Sequence, residues 1–356
     1  MATDTSGTDG IRSAAGFVKG WLEARDIEVR DFVHGGRPVV AATVGATAGP
    51  TIVLHGHIDV VPGHPEQFQP RIEGDRLIGR GAYDMKGGLA AMMLATADLA
   101  SQDRVKVHFV CVPDEESDEA LDRASDRVVE EGYTGDFAIT GEPTDLHIGV
   151  QAKGVLALRV EVEGKAAHGS TPWEGDNVVL KALDVFRSIE SLPFTRESSD
   201  LFDRPSINLG RIMGGDVMNR VPERCVIDID IRYLPGQDSG ELLAAIGSVA
   251  GPNVSVVLHR NPALVDRDDP YVLKLARAVA GEDPAERISV GRDGASDAVS
   301  FLDAGIPAVE FGPVGGGHHG PEEWVSISSL GRHREALIEF VRLVGEAVEG
   351  KHLRIA

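Results

Sequence analysis

Cysteine is nearly absent from this chain. Its 356 residues include two, Cys111 and Cys225, each within an apolar, strand-like run. Two thiols are too few for a disulfide framework, so they fit a reducing compartment and are expected to be small buried hydrophobes. Long apolar runs are missing too. None approaches the ~18 residues that span a bilayer, and the opening MATDTSGTDG is acidic and polar where a signal peptide would be basic and then apolar. The expected location is the cytoplasm, with no membrane partner. Positive charge is scarce as well: 35 Lys and Arg, most of them Arg, stand against 56 Asp and Glu, for a formal net charge of -21 at pH 7. Such a field repels nucleic acid and anionic membrane and disfavours polyanionic substrates. It leaves two origins open, a salt-adapted host or an acidic surface of no special meaning. No internal repeat is visible.

What is present supports a sizeable core. Hydrophobic residues make up 42% of the chain, and its length exceeds the size at which one core stops growing, which predicts two domains. Residues 1–12, rich in Thr, Ser, Gly and Asp, read as disordered or loosely attached, and residues 13–25 as an amphipathic helix. Strands are predicted over 38–44, 51–61, 105–113 and 137–140, with a helix over 89–100. Strands alternating with helices imply an α/β fold with a mostly parallel sheet. Near residue 150 the character changes. Alternating strands over 155–164, 206–212, 225–233 and 254–259 enclose helices over 177–189 and 241–249. This β-α-β-β-α-β order predicts a small α+β sandwich with an antiparallel sheet, of the ferredoxin-like kind. After Pro262 the α/β pattern resumes, with a helix over 271–280, a strand over 307–311 and a final helix over 329–349.

Acidic and imidazole groups gather where such a sheet would place a site. The apolar run 51–54 ends in His55-Gly56-His57-Ile58-Asp59. Residues two apart on an extended segment face one side, so His57 and Asp59 face together, Asp59 orienting the imidazole rather than binding metal itself. Asp84 follows in GRGAYDMKGG, whose glycines permit a tight turn and close approach. Glu115 and Glu116 directly follow one predicted strand and Glu142 another, and open α/β sheets build their sites at the carboxyl ends of strands. Singly, each motif is commonplace: His-x-Asp is usually incidental, Glu-Glu a solvated face, Gly-Glu-Pro a turn.

Taken in order, HGHID, GRGAYDMKGG, PDEES, TGEPTD, AAHGSTP and HHGPEEWV resemble the M20 family of zinc amidohydrolases and peptidases, over roughly residues 15–350. The wording is most similar to the acetylornithine deacetylase and succinyl-diaminopimelate desuccinylase branch. One departure is that members usually begin with a further helix and a Pro-Ser loop, which this chain lacks. The resemblance implies a zinc-hydrolase catalytic domain in two parts, 1–154 and 263–356, interrupted by a lid or dimerisation domain over 155–262. It implies two Zn2+ per subunit, with Co2+ able to substitute. His57, Asp84 and Glu142 would hold one ion and Asp84, Glu116 and His319 the other, Asp84 bridging. His318 competes for the last role, but the family's spacing of His to a Glu four positions later, here Glu323, selects His319. Glu115 becomes the general base and proton donor, with Asp59 beside the catalytic centre. His168 would enter the site of a dimer partner to stabilise an oxyanion, Asn219 and Arg232 would grip substrate, and Gly294 and Ser296 would line it. The Asp84–Met85 peptide bond is expected to be cis. His55, His64, His108 and His147 are left as structural or surface residues.

The activity so implied is removal of an N-acyl group from a small, carboxylate-bearing amino-acid derivative. A dipeptidase or carboxypeptidase is the runner-up. A catalytically dead binding protein is the third reading, and it would be expected to have lost one of the six metal-site or base residues, all of which are present.

Overall fold

Thr51–His57 carries six buried residues in succession, as expected of a strand covered by helices on both faces. In the computed structural model, which describes residues 1–117, 122–280, 285–288 and 290–352, the chain divides into two compact units. One comprises Met1–Val150, Val265–Val290 and Asp297–Ala356, the other Gln151–Leu264 and Gly291–Ser296.

The centre of the first unit is a parallel run of four strands in the order Lys106–Val112, Thr51–His57, Phe137–Thr140, Ala308–Glu310. Beyond Lys106–Val112 the sheet continues antiparallel with Arg37–Gly45 and Val29–His34. On the far side Glu310 pairs antiparallel with Gly149. One face is filled by Val39, Ala41, Val53, Val110, Ala138 and Ala308 against Val128 and Phe301 of two short helices. Helix Lys86–Asp98 packs on Thr51–His57 and Lys106–Val112, with the long C-terminal helix Ile327–His352 against it. Both cysteines are free and buried, and burial pushes the Cys111 thiol up to about 12. Among the described residues no helix is long and apolar enough to cross a membrane.

The N-terminus departs from expectation. Residues 1–12 are not loosely attached: helix Thr8–Glu23 starts within them, burying Ile11, Ala15, Val18 and Leu22. The segment ahead of it is docked. Thr5 is fully buried, its hydroxyl donating to the Ile58 carbonyl at 2.7 Å, and the Lys86 ammonium donates to the Thr3 carbonyl at 3.0 Å. Polar composition misleads here because the Thr5 hydroxyl and the Thr3 carbonyl are satisfied by protein groups instead of water.

The second unit is an antiparallel sheet in the order Ser206–Gly214, Arg224–Tyr233, Gly154–Glu163, Val254–Arg260. Alternation on Gly154–Glu163 and Arg224–Tyr233 sends Leu156, Leu158, Val160, Ile227 and Ile229 to one face, against Val178, Ala182 and Ile246 of helices Val178–Glu190 and Ser239–Ala250. Asn177 and Asp238 cap these helices, accepting from Val179 N at 3.1 Å and Glu241 N at 2.9 Å. This is the ferredoxin-like arrangement the strand order predicts.

Candidate metal centre

The loops that leave the four parallel strands carry the charged groups. His57 is the last residue of Thr51–His57; Glu115 and Glu116 follow Lys106–Val112, Glu142 follows Phe137–Thr140, and His318 and His319 come after Ala308–Glu310. Asp84 arrives on a turn that precedes helix Lys86–Asp98. A Cβ on Gly88 would lie 2.3 Å from the Gly141 carbonyl oxygen, so only bare backbone lets the helix start press against the turn bearing Glu142. The Asp84–Met85 bond is cis.

Asp84 stands between two sets of partners. Its Oδ1 lies 3.0 Å from His57 Nε2. Its Oδ2 touches His318 Nε2 and lies 3.5 Å from His319 Nε2. His319 Nε2 is 2.9 Å from Glu116 Oε1, and His57 Nε2 is 3.6 Å from Glu142 Oε1. Ligand atoms of His57, Asp84 and Glu116 fall within 4.8 Å of one another, and so do those of Asp84, His318 and His319. The family spacing selects His319 over His318. The structure brings both to Asp84, and nothing but their adjacency in the chain signalled it.

Asp59 ties the cluster together from behind. His57 Nδ1 lies 3.1 Å from the Asp59 carbonyl oxygen and 3.5 Å from its Oδ1. The Asp59 carboxylate itself accepts from the amides of Glu115 at 3.3 Å and Glu116 at 2.8 Å. It therefore faces His57, as the spacing predicts, and also bends the loop after Val112 so that two adjacent acids stay beside the cluster. His55 lies deeper: its Nε2 is 2.9 Å from Ser125 Oγ, which donates to Asp297 Oδ2 at 2.7 Å. Burial lowers the His55 imidazole to about 4.

Proton affinities follow from this crowding. Burial disfavours a charged His57, yet Asp59, Asp84 and Glu142 together hold its pKa well above the ordinary value. Burial likewise opposes ionisation of Asp84, and the three imidazoles overcome it, holding the carboxyl well below the usual range. Hydrogen bonds to Asp84 and Glu116 raise His319 to about 10. Glu115 differs. Burial pushes its carboxyl up to about 8, against the pull of His57 and with help from Asp297, Asp84 and Glu116. A convergent set of carboxylates and imidazoles that raises imidazole pKa values this far is the donor chemistry a divalent ion takes.

The remaining candidates lie in the second unit. His168 forms a bridge with Arg220, and Gly169 N donates to the Asn219 carbonyl at 2.7 Å, so His168 and Asn219 sit on paired loops. A Cβ on Gly169 would lie 2.9 Å from the Asn219 backbone, which makes glycine necessary at this pairing. The His168 Nδ1 is 2.8 Å from Ser170 Oγ. Arg232 is not with them. It is the penultimate residue of strand Arg224–Tyr233, whose other end adjoins residues 219–223, about 26 Å away at ~3.3 Å per residue. Its guanidinium is paired with Asp230 at 3.0 Å. Gly294 is open to its surroundings and Ser296 is buried, both on the stretch Gly291–Ser296.

Known proteins resemble this chain in sequence and fold. A succinyl-diaminopimelate desuccinylase of Gluconacetobacter diazotrophicus is 28% identical over 93% of this chain and 90% of that protein. A [LysW]-lysine/[LysW]-ornithine hydrolase of Sulfurisphaera tokodaii is 31% identical over 74% of this chain and 72% of its own. The solved structure of a family M20 metallo-carboxypeptidase from Sulfolobus solfataricus superimposes with a TM-score of 0.77 over 97% of both chains, at 20% identity. Residues 53–343, which contain the whole cluster from His57 to His319, match the sequence model of Peptidase family M20/M25/M40, and the chain belongs to that family as a metal-dependent hydrolase of amide bonds.

Proposed function

We propose that the chain is a two-zinc amidohydrolase that removes an N-acyl group from a small, carboxylate-bearing amino-acid derivative, with Co2+ able to replace Zn2+. The observation that carries this reading is the division of labour among the acids. Asp84, Glu116 and Glu142 each lie within 3.6 Å of an imidazole nitrogen. Among the described residues the Glu115 carboxylate has no hydrogen bond or ion pair. His57, Asp84 and Glu142 would hold one ion, and Asp84, Glu116 and His319 the other, with His318 placed to reach Asp84 as well. Bound divalent ions supply Lewis acidity towards a carbonyl oxygen and lower the pKa of water. Glu115 accepts a proton from the attacking water and returns it to the nitrogen as the C–N bond breaks.

The desuccinylase and hydrolase relatives support acyl removal from an amine. The distance between His168 with Asn219 at one end of the second unit and Arg232 at the other supports two ends serving two sites, as in a homodimer joined through that unit. A cytoplasmic setting agrees with the reduced cysteines. A panel of N-succinyl, N-acetyl and dipeptide substrates with zinc or cobalt present decides between the readings. Release of free amine from the acylated amino acids at higher kcat/KM than from dipeptides is expected, whereas preference for dipeptides would favour the peptidase alternative.

A further inference from the structure

Glu323 lies four residues after His319 and is 1% exposed. A carboxylate so deeply buried needs all its acceptor positions filled. The turn that presents Asp84 fills them. Oε1 accepts from the amides of Tyr83 at 2.9 Å and Asp84 at 3.0 Å, and Oε2 accepts from the amide of Gly81 at 2.9 Å and from Arg80 Nη1 at 2.9 Å. Two further donors of the same turn reach the 319–323 segment: Gly79 N donates to the Glu323 carbonyl at 2.9 Å, and Arg80 Nη2 to the His319 carbonyl at 3.2 Å. Two segments far apart in sequence, one bearing Asp84 and the other His318 and His319, are thereby clipped to a single carboxylate.

We propose that Glu323 is a positioning residue for the metal-dependent hydrolysis, setting Asp84 against the 318–319 histidines so that the ligand set exists before any ion arrives. The inference rests on the metal-centre reading above. With its carboxylate taken up by these four donors, Glu323 acts through the backbone amide of Asp84 itself and through the carbonyl of His319 by way of Arg80. Only an acceptor-only group suits the place. A glutamine would aim an NH2 at two of four donors, and an aspartate would fall one methylene short. Arg80, 3% exposed, completes the clip and offers an independent handle on it.

The test is the zinc dissociation constant of the folded protein, measured by chelator competition for wild type, Glu323→Gln and Arg80→Met. Kinetics at saturating zinc and melting curves in excess chelator are taken on the same preparations. Glu323→Gln is expected to weaken zinc binding about 10- to 100-fold, as loss of a group that orients metal ligands does, and Arg80→Met to weaken it less. KM should hold, and excess zinc should return most of kcat. If Glu323→Gln does not fold, Arg80→Met decides alone. Unchanged zinc affinity in a folded variant, with only a lowered melting temperature, would reduce Glu323 to a structural residue and overturn the proposal. Activity lost while zinc stays tight would overturn it as well, because Glu323 would then act on the chemistry. Wild-type protein that binds no zinc overturns the metal-centre reading together with this one, whereas wild-type binding that the variants leave untouched removes the role of Glu323 alone.

Discussion

Glu115 is the acid of the cluster that no imidazole claims. Its neighbour Glu116 lies 2.9 Å from His319, so exchanging the two residues' roles has a measurable signature. Glu115→Gln is expected to retain metal at the wild-type level and to lose about 100- to 10,000-fold in kcat, the range for removing a general acid–base. Metal analysis and kinetics on one preparation check it; zinc lost in step with activity would move the base role to Glu116. The same crowding fixes a pH dependence. Metal needs unprotonated imidazole, and in the metal-free protein His319 is held near 10 and His57 well above its ordinary value. Below those values protons compete, so affinity should rise with pH, about tenfold per unit for each proton displaced, from about pH 6 to about pH 9. Calorimetry in buffers of different ionisation enthalpy reads the released protons, and a flat dependence with no release would contradict the charge assignment.

At the level of elements, what could be read from the sequence was what carries a period. The alternation in Gly154–Glu163 and Arg224–Tyr233 marks half-buried strands, and the spacing of Ala15, Val18 and Leu22 marks a helix face. Elements without a period carry no such mark. Val29–His34 buries none of its residues fully, Ala124–Glu130 is a seven-residue, mostly polar helix, and the small sheet of Arg71–Glu73, Arg76–Ile78, Gly315–Gly316 and Trp324–Ser326 is built of strands of two or three residues. Within the site, the motif acids could be named because their residue types carry the chemistry. The hold of Asp59 on two amides, and of Glu323 on three, could not, since a backbone N–H has no sequence signature. The docked N-terminus is the same case. Thr5→Val keeps the volume but removes the donor to the Ile58 carbonyl beside His57, and should cost about 1–3 kcal/mol. That shows as a lower denaturant midpoint at unchanged m-value; an unaltered midpoint would mean the docking adds nothing to stability.

For the whole molecule the open matter is assembly. If His168 serves a partner's site, His168→Ala should lower kcat about 100-fold or more without loss of zinc, comparable to losing one oxyanion donor. Mixing it with Glu115→Gln after subunit exchange should restore part of the activity, because a mixed dimer contains one site with an intact Glu115 and an intact His168. No recovery after proven exchange, or a monomer by sedimentation, would place the action of His168 within its own chain.

Metal-dependent deacylation is tested by amine release from N-succinyl and N-acetyl amino acids by chelator-stripped protein as zinc is added back. We expect no hydrolysis before zinc, then a rise that levels off at about two equivalents per chain, as a two-metal hydrolase requires. Hydrolysis that survives stripping, or none at any zinc concentration while zinc is bound, would contradict it.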